Sequence, residues 1–535
     1  MSIIRLEALV LAALAAGASA LPAVAQVPVS QAPATGSQYS FYMLRGHDTI
    51  IVERVARGPR ALVGEFKDPT GSLIRYTVQL DDSALIAHAM LSATPRGASP
   101  QVYDFAFVQD TLLITQPARD AATGTPPVRI HAVHGTLLQE NPSVAFVEQM
   151  LMRARLIGGT ATTQVPLLFT LGAAQVTATV AWIGADSATA TINGTQMRLA
   201  VRNDGSIMGG TIPSQGIVIV RGPGGAPLVS GPAPDYSAPP GAPYTAENVV
   251  VHTPQGLRLA GTLTLPAGAS ASHRVPGVVT ITGSGPEDRN SESPALHGWK
   301  PFAQIADTLS RRGMAVLRLD DRGVGGSDAA PDSPTGIASD MSAAVAYLRS
   351  RPEIDPRRIA LLGHSEGGLV APMVASTDSG IKAVVLMAAP GEPVLALLKF
   401  QQAFAIDSMA HLTGDARAAA FAQAKSATDS LVAYSAGFAE LVNRDPAPLL
   451  RMLRQPVLIL QGEKDYQVPR SQAEKVAALI RANGNRDVTV RYFAGLNHLF
   501  VPGLDKGYDY NALPSLAVPA VVLGTVADWL AARLR

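Results

Sequence analysis

The sequence predicts a mainly antiparallel β domain followed by a mostly parallel, doubly wound α/β sheet with a helical cap. Three observations predict it. Between Tyr39 and about Arg221, apolar and polar residues alternate at period two. The segment 222–243 is dense in Gly and Pro, which neither a ladder nor a helix accommodates. Beyond Ala246, short apolar runs alternate with helical stretches of roughly ten to fifteen residues, the texture of strand–helix–strand units.

Length and charge bound the possibilities. A chain of 535 residues exceeds what one hydrophobic core supports, so more than one domain is expected. Lys+Arg at 43 against Asp+Glu at 42 leaves a formal charge of +1, which gives no electrostatic reason for a nucleic-acid or anionic-membrane partner. A small molecule, uncharged or mildly charged, is the expected partner. The oligomeric state is not encoded in any of these patterns. With 0 Cys, disulfides, thiol catalysis and thiolate metal sites are excluded.

Residues 1–25 read as a cleavable export signal. Arg5 precedes an apolar run over 8–20, and small residues Ala23 and Ala25 stand just before Gln26. The run is short for a bilayer span, so stable membrane insertion after removal of the signal is not expected; a retained anchor is the alternative. The expected location is the periplasm or the exterior. Residues 26–38, rich in Pro, Ala and Ser, read as a flexible leader.

The first domain is assigned to 39–221. Ile74, Tyr76, Val78 and Leu80 alternate with polar residues, as do Val176, Ala178, Val180 and Trp182. Asn193-Gly194 and Asp204-Gly205 supply turns. A β-sandwich or a curved sheet folded over a helix at about 142–156 both satisfy this pattern. The linker is 222–243 and the catalytic domain 244–535. In the latter, strands are expected at 248–252, 257–265, 278–282, 315–319, 359–362, 383–387, 457–461 and 488–492. Helices are expected at 302–312, 337–349, 369–376, 470–482 and 520–534. The Ala-rich stretch 391–454 is long for a connection and reads as a helical cap.

Chemistry belongs at the carboxyl ends of such strands. The strand at 359–362 runs into Gly363-His364-Ser365-Glu366-Gly367-Gly368 and then a helix, a G-x-S-x-G turn in its required context. Glycines flank the turn because side chains there would strike neighbouring backbone, and Ser365 becomes the candidate nucleophile. A serine hydroxyl needs a base. His498, one of 10 histidines, stands just after the last expected strand; the others read as structural or solvated, and His364 is expected to point away from the reaction. Asp465 follows the strand at 457–461 and is the expected acid, with Glu463 its competitor. The oxyanion donors are expected to be the amide of Glu366 and one from the loop Gly283-Ser284-Gly285, with Ser284 favoured over Gly285.

Gly283-Ser284-Gly285-Pro286-Glu287-Asp288-Arg289, then Asp321-Arg322-Gly323-Val324-Gly325-Gly326-Ser327, then the elbow at 363–368, together resemble bacterial α/β-hydrolase serine esterases with a Gly-Ser-Gly-Pro-x-Asp-Arg oxyanion loop. The resemblance covers about 246–535. It implies the α/β-hydrolase fold and carboxylester hydrolysis through an acyl-enzyme on Ser365, with no metal or organic cofactor. Asp321 and Arg322 are expected to organise their loop. Phe400, Phe404, Met409, Phe421, Tyr434 and Phe438 either line an acyl pocket or pack the cap's own helices. Two other readings compete. A peptidase of prolyl-oligopeptidase type shares the order Ser, Asp, His, but no fixed-period repeat before Gly222 builds its propeller. A polymer- or cell-wall-binding protein on a hydrolase scaffold is the third.

Overall fold

A computed structural model describes residues 36–68, 71–94, 100–116, 127–170, 175–229, 234–293, 296–505, 507, 510 and 513–535. The expected signal at 1–25 and most of the leader lie outside the described residues. Two compact units form. One holds the chain up to Ala233 that is described, together with Ala422–Tyr434; the other holds Pro234–Phe421 and Ser435–Arg535.

The first unit begins with β1 (Ser37–Arg45), β2 (Asp48–Arg57), β3 (Ala61–Lys67), β4 (Leu73–Leu80), β5 (Ile86–Thr94), β6 (Gln101–Val108), β7 (Thr111–Thr115) and β8 (Val128–His131). After β9 (Leu137–Gln139) and helix α1 (Val144–Gly158) come β10 (Thr163–Phe169), β11 (Gln175–Trp182), β12 (Ser187–Ile192), β13 (Thr195–Val201), β14 (Ile207–Ile212) and β15 (Ile217–Pro223). Among the described residues these make one 15-stranded sheet, running β8 back to β1 and then β15 back to β9. The two meanders join where β1 pairs antiparallel with β15, from Tyr39 opposite Pro223 to Arg45 opposite Ile217. Among the described residues, only the short β9–β10 ladder is parallel.

Of the two architectures the period-two pattern allowed, this is the sheet folded over a helix. Phe146, Met150, Leu151 and Ala154 of α1 share one core with Phe41, Phe66, Phe105 and Leu167 from strands far apart in the sheet. Flat sheet could not bring those strands onto one helix. The amino end of α1 is held by Glu53 of β2, whose carboxylate accepts from the amides of Val144 (2.7 Å) and Ala145 (3.1 Å), from Tyr76 Oη (2.7 Å) and from the Ser143 hydroxyl. Negative charge at a helix amino terminus meets unpaired amides and the positive end of the dipole. Farther along α1, buried Glu148 pairs with Arg221 (2.6 Å) and Arg57 (3.1 Å).

The second unit contains β16 (Tyr244–His252), β17 (Arg258–Pro266), β18 (Val275–Ile281), α2 (Pro301–Ser310), β19 (Ala315–Leu319), α3 (Pro334–Ser350), β20 (Ile354–His364), α4 (Gly367–Thr377) and β21 (Ile381–Met387). There follow α5 (Val394–Ala403), a π-helical turn (Phe404–Met409), α6 (Gly414–Tyr434, of which Ala422–Tyr434 falls in the first unit), α7 (Ala436–Val442) and α8 (Ala447–Met452), then β22 (Val457–Gly462), α9 (Arg470–Ala482), β23 (Val488–Phe493) and α10 (Ala520–Arg533).

The sheet order is β16-β17-β19-β18-β20-β21-β22-β23. β17 runs antiparallel to β16 and β19, and the remaining pairs are parallel. This is an α/β-hydrolase fold. One face buries Val345, Leu348, Val370, Val374, Val476 and Ile480 of α3, α4 and α9. The other buries Phe302, Ile305, Leu309, Val522, Val526 and Leu530 of α2 and α10. Strands covered on both sides read as continuous apolar runs, as expected of parallel sheets. β20 starts earlier than its apolar run, because a register shift lets Ile354 pair with Val275 and Ile359 with Gly277.

Candidate active site

The elbow between β20 and α4 places Ser365 at φ 53°, in the left-handed region that side chains other than glycine seldom occupy. Its neighbours leave no alternative. A Cβ on Gly363 would stand 2.0 Å from the Gly367 carbonyl oxygen, and one on Gly367 would stand 2.2 Å from the carbonyl oxygen of Ile281. The Ser365 amide donates to the Met387 carbonyl (2.8 Å), which ties the strained residue to the neighbouring strand. Ser365 itself remains partly exposed.

Beyond β22, Asp465 is buried, with a carboxylate fully engaged. Oδ1 accepts from the amides of Gln467 (2.9 Å) and Val468 (2.8 Å), and Oδ2 accepts from Gln461 Nε2 (2.9 Å). Oδ2 also lies 2.8 Å from His498 Nδ1. Glu463 turns outward to Arg470 (2.6 Å) and plays no part in this contact. The loop after β23 is shaped by Asn497, whose Oδ1 accepts from the amides of Leu499 (3.0 Å) and Val501 (3.2 Å).

Ser365 meets this pair through its neighbour. The His364 ring, buried, lies 4.9 Å from the His498 ring, and His364 Nε2 lies 3.0 Å from the His498 carbonyl oxygen. The His364 ring is therefore engaged with the loop that carries His498. Burial, reinforced by the nearby His498, lowers its pKa to about 3, so it is neutral. Elsewhere, His88 rests on Asp104 (3.0 Å) and His297 on Glu292 (2.8 Å), in keeping with structural roles.

The loop after β18 approaches the elbow. The Gly283 amide is occupied by Glu287 Oε2 (3.3 Å), and Gly285 adopts φ 114°. Among the described residues, none accepts from the amides of Ser284, Gly285 or Glu366. Burial pushes the Glu366 carboxyl up to about 8, with Asp332 and Glu287 adding repulsion and the nearby Ser284 hydroxyl opposing it. Burial likewise pushes Glu287 up to about 8.

Asp321 bonds Thr282 Oγ1 (2.6 Å) and the Glu287 amide (2.9 Å), while Arg322 grips Asp340 (2.6 and 2.9 Å), so both shape loops. Arg289 forms a two-pronged pair with Asp320 (2.9 and 2.7 Å) and lies 4.0 Å over the Tyr236 ring, whose hydroxyl donates to Asp288 (3.0 Å). These buried pairs were not read from the sequence, since charged residues are usually solvated. Gln461 had one signal, a polar residue ending an apolar strand.

The cap aromatics divide. Phe438 is buried. Phe400 and Phe404 stack at 6.4 Å, and Phe404 stacks on Tyr466 at 5.0 Å, beside Asp465. Phe421 lies under Arg417 (4.6 Å), and the Met409 side chain lies near Gly507. The Tyr434 side chain is outside the described residues. No helix among the described residues is long and apolar enough to cross a membrane.

Residues 301–515 match the prolyl oligopeptidase family. The esterase EstD of Thermotoga maritima is 28% identical over 284 residues, covering 51% of this chain and 65% of EstD. The thiohydrolase ApmlB of Arthrinium phaeospermum is 37% identical over 87 residues, covering 16% of this chain and 28% of that protein. The chain thus spans less than two thirds of either relative. Among solved structures, the esterase Pf2001 of Pyrococcus furiosus superposes with a TM-score of 0.41 at 16% identity, over 57% of this chain and 97% of that one.

Proposed function

We propose that the protein is a serine carboxylesterase acting on small to medium carboxylic esters. The observation that carries it is the strained Ser365 at the head of α4, joined through His364 to a His498 already paired with Asp465. In this reading His498 Nε2 takes the Ser365 proton as Oγ attacks the ester carbonyl. Asp465 holds the ring in the tautomer with Nδ1 protonated and stabilises the imidazolium. The amide of Glu366 and that of Ser284 or Gly285, unclaimed by the protein, receive the oxyanion. Collapse expels the alcohol, which takes the proton from His498. Water activated by the same histidine then releases the acid and regenerates Ser365.

No group beyond these side chains enters the scheme. The segment at 1–25 supports export to the periplasm or beyond.

The match of 301–515 to the prolyl oligopeptidase family favours a second reading, amide cleavage by the same residues. Against it, the β unit is one continuous sheet and not a ring of blades. Turnover of p-nitrophenyl acetate, butyrate and octanoate, set beside alanyl-prolyl p-nitroanilide, decides between them. The ester reading expects hydrolysis of at least one ester with the anilide untouched. Cleavage of the anilide in preference to every ester would overturn it.

A further inference from the structure

The loop that carries His498 is held at two successive carbonyls by side chains from elsewhere. The His498 carbonyl meets His364 Nε2 at 3.0 Å, and the Leu499 carbonyl accepts from Trp299 Nε1 at 3.1 Å. The two clamping rings touch each other edge to face, with centroids 5.4 Å apart, and Phe500 closes the far side of His364 at 6.3 Å. His364 and Trp299 are both nearly inaccessible, at 4% and 2% exposure, so the arrangement is packed on every side.

A carbonyl oxygen only accepts, so the proton of a neutral His364 must sit on Nε2. Nδ1 is then a bare acceptor, and among the described residues it has no partner. An unmatched buried nitrogen costs free energy. A purely space-filling residue here would avoid that cost, whereas a donor aimed at residue 498 requires it. Gly283 completes the fit, since a Cβ there would stand 3.3 Å from His364 Nδ1.

We propose that His364 is a positioning residue that sets the distance between nucleophile and base. It is covalently next to Ser365 and hydrogen-bonded to the backbone of His498, so it couples two loops 134 residues apart by one short path. It acts in this role through the His498 backbone carbonyl and not as the proton acceptor. The inference rests on the reading of Ser365 and His498 as nucleophile and base, and it assigns a role to the residue preceding the nucleophile.

The test compares His364→Leu, which removes the donor, with His364→Gln, whose amide nitrogen extends about as far as Nε2. Thermal melts establish that each is folded. The readouts are kcat and KM on the best ester, and the second-order rate of Ser365 labelling by a fluorophosphonate, which needs no particular substrate. His364→Leu is expected to lose about 10- to 100-fold in kcat and in labelling rate with KM nearly unchanged, the scale of a misplacement of about 1 Å. His364→Gln is expected to recover most of that loss.

Trp299→Phe, which frees the adjacent carbonyl, is expected to slow labelling in the same direction. A folded His364→Leu that labels within twofold of the wild type would overturn the proposal, as would equal losses in the Leu and Gln variants. A wild type that labels at Ser365 yet hydrolyses no ester would overturn only the ester reading, and the labelling rates would still decide the role of His364.

Discussion

Asp465 Oδ2 stands 2.8 Å from His498 Nδ1 while Oδ1 of the same carboxylate accepts two backbone amides, at 2.9 and 2.8 Å. One oxygen is therefore locked to its own loop and the other is aimed at the imidazole. An asparagine in this place would keep the shape but present an amide where Nδ1–H requires an acceptor, or would turn over and lose the loop. Asp465→Asn is expected to lower kcat by about 10⁴-fold with little change in melting temperature. Steady-state kinetics with a thermal melt checks this. A kcat within tenfold of the wild type would remove Asp465 from the proposed triad.

At the elbow, backbone crowding makes a different prediction. Gly367→Ala brings a Cβ against the Ile281 carbonyl, a backbone atom that cannot swing aside. The variant is expected to lose about 1 to 3 kcal/mol, or to fail to fold, because overpacking a well-filled interior forces main-chain shifts. Urea unfolding measures it. Stability equal to the wild type would mean that the turn is looser than described.

Glu287 makes stability depend on pH in an unusual direction. Burial raises its folded pKa to about 8 from the ordinary 4.5, so between those values the folded state binds the proton more tightly than the unfolded state. The stabilising contribution is therefore present below about pH 4.5 and is lost as pH rises toward about 8, with a slope of at most about 1.4 kcal/mol per pH unit. Glu287→Gln keeps an acceptor for the Gly283 amide and Ser291 and cannot ionise. Urea melts between pH 5 and pH 8 should show a shallower decline for this variant. Parallel declines would place the titrating group elsewhere.

In the first unit, Glu53 gathers four donors at the start of α1. Glu53→Ala strands all four and is expected to cost about 3 kcal/mol or more, whereas Glu53→Gln, which retains an acceptor, should cost far less. Chemical denaturation of the full chain compares the two. Equal losses would show that the cavity, and not the hydrogen bonds, dominates.

Much of the second unit was legible because its determinants are local. Apolar runs of both-sides-buried strands mark themselves, and Gly363, Ser365 and Gly367 are required within five positions of one another by the turn they make. Asp465 and His498 could be placed since each follows such a strand. The first unit was legible as strands and one helix, but the choice between a sandwich and one curved sheet was not. Period two records which face of a strand is buried and nothing about its partner, and β1 meets β15 across most of the unit's length. β9, at three residues, is too short to leave a pattern.

The contacts around the candidate site were the least legible. His364 acts on a backbone carbonyl, which no residue type at position 498 would announce. Arg289 and Asp320, like Glu287 and Asp321, are ionisable residues buried together, and their partners lie about thirty positions apart on different loops. Only the folded chain brings them within reach.

The most direct measurement of the central claim is mass spectrometry of the full chain after treatment with a fluorophosphonate. The account predicts a single phosphonyl adduct on the peptide containing Ser365, abolished in Ser365→Ala and slowed in Asp465→Asn. An adduct on another serine, or a wild type that takes no label while hydrolysing esters, would contradict it.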